Sequence, residues 1–295
     1  MRSAAARQPG LWVAGAALLG GSFGPALEPQ RWWPALLVVT AGMIVLARRG
    51  PTARPTGPCA WALGCALGWA TWSALSVSWA ADPAWAWEAT GRAWLVTGVL
   101  AVIVLWPGTA TPRERAGAAA VLVAATAALQ AAIAWGGTLT GTPLADGRLR
   151  GAMPYANALA LLMVAGTLAA IGLAAGAATA RRRGAWTALA VVLLATGLAA
   201  QSRSSIPVLV VGLLVAAAGG GVRRPAAASL LACAGAVGVT AGAVLSVRTA
   251  VLGGADVPQR AGTVLAFVLL AAILAGTAAG LGGAARDPGT PRLSR

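Results

Sequence analysis

The chain has 295 residues, 58% hydrophobic and 10% charged, with a mean hydropathy of +0.77 and a formal net charge of +15. Water-soluble domains carry roughly 25% charged residues, so an ordinary soluble globule is excluded. The sequence holds no His and no Lys, all 22 basic residues being Arg. That excludes a His-activated serine or cysteine nucleophile, a His-ligated zinc centre, a Walker P-loop and a Schiff base.

Each bilayer crossing takes roughly 20 apolar residues, so the length has room for roughly ten membrane helices and little else. Ten apolar runs, separated by charged, Pro or Gly breaks, are predicted as helices: 11–26, 32–47, 59–80, 90–106, 116–135, 156–175, 184–200, 205–220, 226–247 and 261–283. The first has a basic flank but no convincing small-residue cleavage site, and reads as a retained helix rather than a signal peptide. The expected fold is an all-α, polytopic membrane protein with about ten helices, a single transmembrane domain over 1–295.

Positive charge orients this stack. With the N-terminus inside, fifteen arginines fall on the cytoplasmic side, among them Arg48, Arg49, Arg181, Arg182, Arg183, Arg223 and Arg224, and seven fall outside. Five of the seven acids, Glu28, Asp82, Glu88, Asp146 and Asp256, fall outside as well. Both termini are therefore expected on the cytoplasmic side, with 286–295 as a short cytoplasmic tail. Because the arginines are spread along the chain rather than gathered in one patch, the net charge points to topology and not to nucleic acid. The tryptophans fit the same frame: Trp32, Trp33, Trp79, Trp85, Trp87 and Trp135 near the outer boundary, Trp106 and Trp186 near the inner one, as interfacial anchors. Sugar stacking by Trp85 or Trp87 is the less favoured alternative. Cys59, Cys65 and Cys233 lie in apolar stretches and read as small apolar filling.

Arginine on the outer face works against the insertion bias and calls for a compensating use. Arg148 and Arg150 precede Tyr155 and Asn157 at the start of the sixth predicted helix, where guanidinium groups and a helix N-terminus together favour phosphate. Asn157 also suits an N-cap, and the arginines could equally be solvated loop charges. Arg203, in Gln-Ser-Arg-Ser-Ser at 201–205, stands in a tight turn at membrane depth, where a charge is costly and marks function, with snorkelling as the alternative. In Ser-Val-Ser-Trp-Ala-Ala-Asp-Pro at 76–83, Asp82-Pro83 reads as a turn or helix start, and Glu88 with Arg92 as an (i, i+4) pair.

These three segments together resemble the O-antigen ligase and polymerase family of bacterial membrane glycosyltransferases. The resemblance rests on Ser-x-x-Trp-Ala-x-Asp-Pro at 76–83, Arg-x-x-Gly-x-x-x-x-Ala-Asn-Ala-Leu-Ala at 148–160 and Gln-Ser-Arg at 201–203, and covers residues 60–225. It implies transfer of a glycan from an undecaprenyl-diphosphate carrier to a lipid or protein acceptor at the outer face, without metal or cofactor. Arg203 and Arg150 would neutralise the diphosphate leaving group, and Arg148, Tyr155, Asn157, Arg248 and Arg260 would bind substrate. The family's large extracytoplasmic loop and its histidine are missing. The corresponding connection, 246–259, is short, leaving Asp256 as the possible base. Two other readings stand beside it: a non-catalytic membrane subunit that binds lipid-linked glycan, and a ten-helix small-molecule exporter built from two inverted repeats.

Overall fold

The computed structural model describes residues 37–44, 58–105, 111–141, 149, 156–202, 205–218, 224–252 and 256–284. Among them the chain is all-α. Eight α-helices follow a helical stretch over 37–44: α1 (Pro58–Ser76), α2 (Pro83–Leu105), α3 (Pro112–Leu139), α4 (Ala156–Ala175), α5 (Ala180–Ala199), α6 (Ser205–Ala218), α7 (Arg224–Leu252) and α8 (Val257–Ala284). A single 3-10 turn, Val77–Trp79, lies between α1 and α2. The chain divides into two compact units, Met1–Ala119 and Ala120–Arg295.

The ends of these helices are written in local chemistry. Thr111 and Glu114 form a reciprocal capping box on α3: the Thr111 backbone N–H donates to Glu114 Oε2 at 2.8 Å, and the Glu114 N–H to Thr111 Oγ1 at 3.3 Å. Pro112 occupies the first helical position, where its missing N–H costs nothing. On α5, Thr179 is the N-cap and accepts from the Arg182 N–H at 3.3 Å. Caps of this kind start α3, α5 and α8, and Pro83 starts α2, four to seven residues earlier than the apolar runs alone predict, whereas α4 matches its run residue for residue.

In the first unit α1 and α2 pack together. Two threonines of α2 bind the backbone of α1: Thr90 Oγ1 lies 2.9 Å from the Ser73 carbonyl, and Thr97 Oγ1 3.0 Å from that of Ala66. Hydroxyl-to-carbonyl bonds of this kind hold helices together where lipid removes any hydrophobic preference for the partner. Val39, in the 37–44 stretch, seats against Gly98 so closely that any Cβ there would collide with it.

In the second unit α5 is the central helix, packed against α4, α7 and α8. Eight of its residues are buried, among them Thr187, Val191, Leu193 and Thr196. Its closest approach is to α8. Gly184 and Gly276 face each other so tightly that a Cβ on either would lie 2.6 Å from the other's carbonyl oxygen, and one on Gly280 would lie 3.1 Å from the Ala180 oxygen. Gly276 and Gly280 are a small-x-x-x-small pair, the spacing that lets two backbones come together in a membrane. Thr187 Oγ1 and Ser229 Oγ, 3.0 Å apart, add an α5–α7 hydrogen bond.

Four helices are long and apolar enough to cross a bilayer, over Ala86–Leu105, Ala116–Leu139, Ala226–Val247 and Val257–Gly282. Their outer faces carry bare apolar side chains, such as Leu231, Val239, Ile273 and Leu274. The molecule is thus a multi-pass membrane protein, but the expected ten spans are corrected to four among the described residues. The apolar part of α4, Leu159–Ala175, spans at 1.5 Å per residue somewhat less than the roughly 30 Å hydrocarbon core. The buried helix α5 carries Arg181, Arg182 and Arg183 in its first turn. Of the remaining predicted helices, 11–26 lies outside the described residues, and 32–47 is described only over 37–44.

Candidate functional site

The second unit has two ends of different character. At one end meet the C-terminal turns of α3, α5 and α7 and the N-terminal turns of α4 and α8, around Trp135, Leu149, Ala156, Ala199, Val247 and Ala261. The arginines of the second half that were expected on the outer side, Arg148, Arg150, Arg203, Arg248 and Arg260, attach to this end in sequence.

Its anchor is Trp135. Expected at the interface, it is instead 3% exposed, and its indole N–H donates to Thr196 Oγ1 on α5 at 3.0 Å. The Thr196 hydroxyl in turn sits 2.7 Å from the Val192 carbonyl, so the indole, hydroxyl and backbone form one short chain. A tryptophan buried by core packing and one at a headgroup look alike in sequence, and only the partner on α5 separates them. Leu149, 2% exposed, ties the segment after α3 to this end through a 3.3 Å bond from its N–H to the Ala199 carbonyl.

Next to it the backbone turns sharply. Gln201 has φ of 51°, the left-handed region, and follows the C-cap Ala200 of α5 where glycine is the usual residue. Ser202 is buried, and its carbonyl accepts the Ser205 hydroxyl at 2.7 Å. Arg203 and Ser204 lie outside the described residues, as do Arg148, Arg150 and Tyr155.

The remaining expected site residues stand at this end on regular structure. Asn157 is exposed in the first turn of α4. Asp256 caps α8, its Oδ1 accepting the Gln259 N–H at 3.2 Å and its carbonyl the Arg260 N–H at 3.1 Å. Arg260 is exposed, and its Nε donates to Ser246 Oγ on α7 at 3.3 Å. The connection expected over 246–259 is mostly helical: α7 runs on to Leu252, since Arg-Thr-Ala-Val-Leu continues the apolar run up to Gly253-Gly254. Arg248 therefore lies on α7 and not in a loop, its side chain outside the described residues.

Beside this end an apolar groove of about 340 Å³ opens between α3, α5 and α8, lined by Trp135, Leu139, Leu189, Val192, Leu265 and Leu269. That volume falls within the roughly 300–1,000 Å³ range of ligand sites, and the lining offers no charged side chain. Among the described residues no group of three or more His, Cys, Asp or Glu could hold a metal ion.

The segment at 76–83 belongs to the first unit and is a helix turn. Ser76 Oγ donates to the Ser73 carbonyl at 2.7 Å and Ser78 Oγ to that of Leu75 at 2.8 Å. The Asp82 carbonyl accepts the Ala86 N–H at 3.1 Å, and Pro83 opens α2. Trp87 is exposed, while the side chains of Trp85 and Arg92 lie outside the described residues.

Comparison with known proteins changes the expected family. The chain is 32% identical, over 200 residues, to an apolipoprotein N-acyltransferase of Ralstonia nicotianae. The match takes in 62% of this chain and spans 37% of the length of that protein. No family model matches, and no solved structure does. The similarity found is thus to an N-acyltransferase, which overturns the O-antigen ligase resemblance and with it glycan transfer from undecaprenyl diphosphate. The misreading has a physical origin. Ser-x-x-Trp-Ala-x-Asp-Pro is what a helix ending in hydroxyl-to-carbonyl turns and restarting at proline looks like, whatever the protein does.

Proposed function

We propose that this chain is an acyltransferase-like protein of the bacterial inner membrane, which binds an acyl chain of a phospholipid or lipoprotein in the groove between α3, α5 and α8. The observation that carries the reading is the groove itself, lined by apolar side chains and glycine and lying beside the polar end of the bundle. The similarity to an apolipoprotein N-acyltransferase supports the choice of an acyl chain over other apolar ligands. Lipid tails are as apolar as leucine, so the groove gains nothing from hydrophobic transfer and must select by shape and dispersion contact. The rigid indole of Trp135, fixed by its bond to Thr196, sets that shape.

The polar groups at this end, Asn157, Asp256 and Arg260, stand where the headgroup of a phospholipid or the polar part of a lipoprotein would lie. With Arg148, Arg150, Arg203 and Arg248 near them in sequence, this end favours an anionic headgroup. Acyl transfer through a covalent intermediate needs a nucleophile and a base. The chain has no histidine or lysine, and Asp256, the carboxylate described at this end, is taken up as the cap of α8, so this reading assigns the chain the binding of the acyl group and not the bond-breaking step. The arginine-rich turns at the other end of the bundle lie in the cytoplasm, following the positive-inside bias.

The test is photolabelling in nanodiscs with a phospholipid bearing a diazirine on its acyl chain. Labels are expected on Leu189, Val192, Leu265 and Leu269, and Val192→Trp, which fills the groove, should abolish them. Labelling spread evenly over the lipid-facing side chains Leu231, Val239 and Leu274, unchanged by Val192→Trp, would overturn the reading. A companion incubation with a diacylated lipopeptide bearing a free amino group, followed by mass spectrometry, should show no gain of an acyl group.

A further inference from the structure

The opposite end of the second unit carries a second groove, of about 360 Å³, between the first turns of α5 and the last turns of α8. Small residues open it: Gly184, Ala188, Gly276 and Gly280 leave the two helices in backbone contact, so their flanks fall away into a shallow furrow. Ile273 and Leu281 border it, and Arg181 stands at its mouth.

The charge at that mouth is unusual for its place. Arg181, Arg182 and Arg183 occupy the first turn of α5, which holds no acidic residue. A helix N-terminus already bears the positive pole of the macrodipole, so three guanidinium groups there repel both one another and the helix. Arg181 and Arg182 are exposed, and no ion pair is formed by any of the three among the described residues. The buried Nε of Arg183 has no hydrogen-bond partner, although its guanidinium reaches the Ala177 carbonyl at 3.5 Å. Arg181 at the rim of an apolar furrow, with Arg182 and Arg183 following it in the same helical turn, complements one kind of ligand, which has an anionic head and a hydrocarbon tail and lies in the same membrane.

We propose that this furrow is a binding site for an anionic phospholipid, with its phosphate on Arg181 and an acyl chain laid over Gly184, Ala188 and Gly276. The charge of the whole first turn draws the lipid from the leaflet, and the furrow distinguishes a seated lipid from the diffuse attraction of a basic surface. The site takes the first half of α5, shares no lining residue with the groove of Trp135, and does not rest on the function proposed there.

The experiment is native mass spectrometry of the full chain released from nanodiscs containing equal parts of phosphatidylglycerol and phosphatidylcholine. One phosphatidylglycerol is expected to remain bound in preference to phosphatidylcholine. Arg181→Gln should weaken its retention about fivefold, the effect of one arginine beside an anionic headgroup. Thr277→Trp places an indole in the furrow from an exposed position and leaves every charge in place; it should release the lipid as well. Equal retention of the two lipids, or phosphatidylglycerol held undiminished by both variants, would overturn the proposal. So would loss in Arg181→Gln with full retention in Thr277→Trp, which would reveal headgroup attraction with no seat. Both positions are exposed, and an unchanged melting temperature for each variant confirms that folding is not what is being read.

Discussion

At the scale of the single residue, the pairing of Trp135 with Thr196 has unequal halves. Replacing Trp135 by Phe removes the donor while the Thr196 hydroxyl keeps its bond to the Val192 carbonyl, so the loss is that of one net hydrogen bond, about 0.5–1.5 kcal/mol. Replacing Thr196 by Val strands a buried indole N–H, which costs about 1–3 kcal/mol. Unfolding in detergent should therefore rank Thr196→Val below Trp135→Phe, although the second removes more atoms; the reverse order would show that ring volume and not the hydrogen bond matters here. Sequence reasoning missed this pair because amphipathic tryptophans occur at interfaces and in cores alike. It missed the left-handed Gln201 for a similar reason, glutamine being no turn residue. Asp256 and Arg260 were expected in the connection between the last two helices, and the structure has them instead at the cap and first turn of α8, because the acid side chain satisfies the free N–H of Gln259 there.

At the scale of the element, the α5–α8 crossing depends on the absence of two methyl groups. Gly276→Ala must push the backbones apart, since its Cβ would meet the Gly184 carbonyl and not a pliable side chain. The expected cost is about 1–3 kcal/mol, the usual range for overpacking, read as a lowered melting temperature. Ala substitution at Gly172 or Gly238, which have open space around them, is the comparison that should leave stability nearly unchanged. Helix existence was readable from apolar run length, because an 18- to 20-residue run of Ala, Leu and Val has few alternatives. Helix beginnings were not, because caps such as Thr111-Pro-Arg-Glu114 look like charged loop until the Thr-x-x-Glu spacing is noticed. Nor does run length show how a helix meets its neighbours: α5 is packed against α4, α7 and α8, and the three arginines of its first turn set it apart from the four long apolar spans.

At the scale of the whole molecule, arginine asymmetry and helix direction make one joint statement. In the second unit the turns carrying Arg181 to Arg183 lie at the end opposite Trp135, so both cannot face the same side of the membrane. If the arginine-rich end is cytoplasmic, alkaline phosphatase joined after Gly141 is exported and active, and the same enzyme joined after Arg181 remains inactive. Activity at the second junction and none at the first would invert the orientation. The number of spans and the family were the parts the sequence did not disclose. Short polar motifs at helix ends arise from capping chemistry common to all membrane bundles, and their order along a chain carries little information about substrate.

The enclosure of α5 has a consequence for how the protein is made. A nascent helix that begins with three arginines and owes its burial to α4, α7 and α8 has poor standing in lipid when it leaves the ribosome, because its protein partners on one side are not yet synthesised. Its packing is complete only when α8 arrives with Gly276 to close over Gly184. Ribosomes stalled within α7 would then hold a chain whose central helix is still reachable by water-soluble reagents, and quality-control proteases would have their opening at that moment and not after.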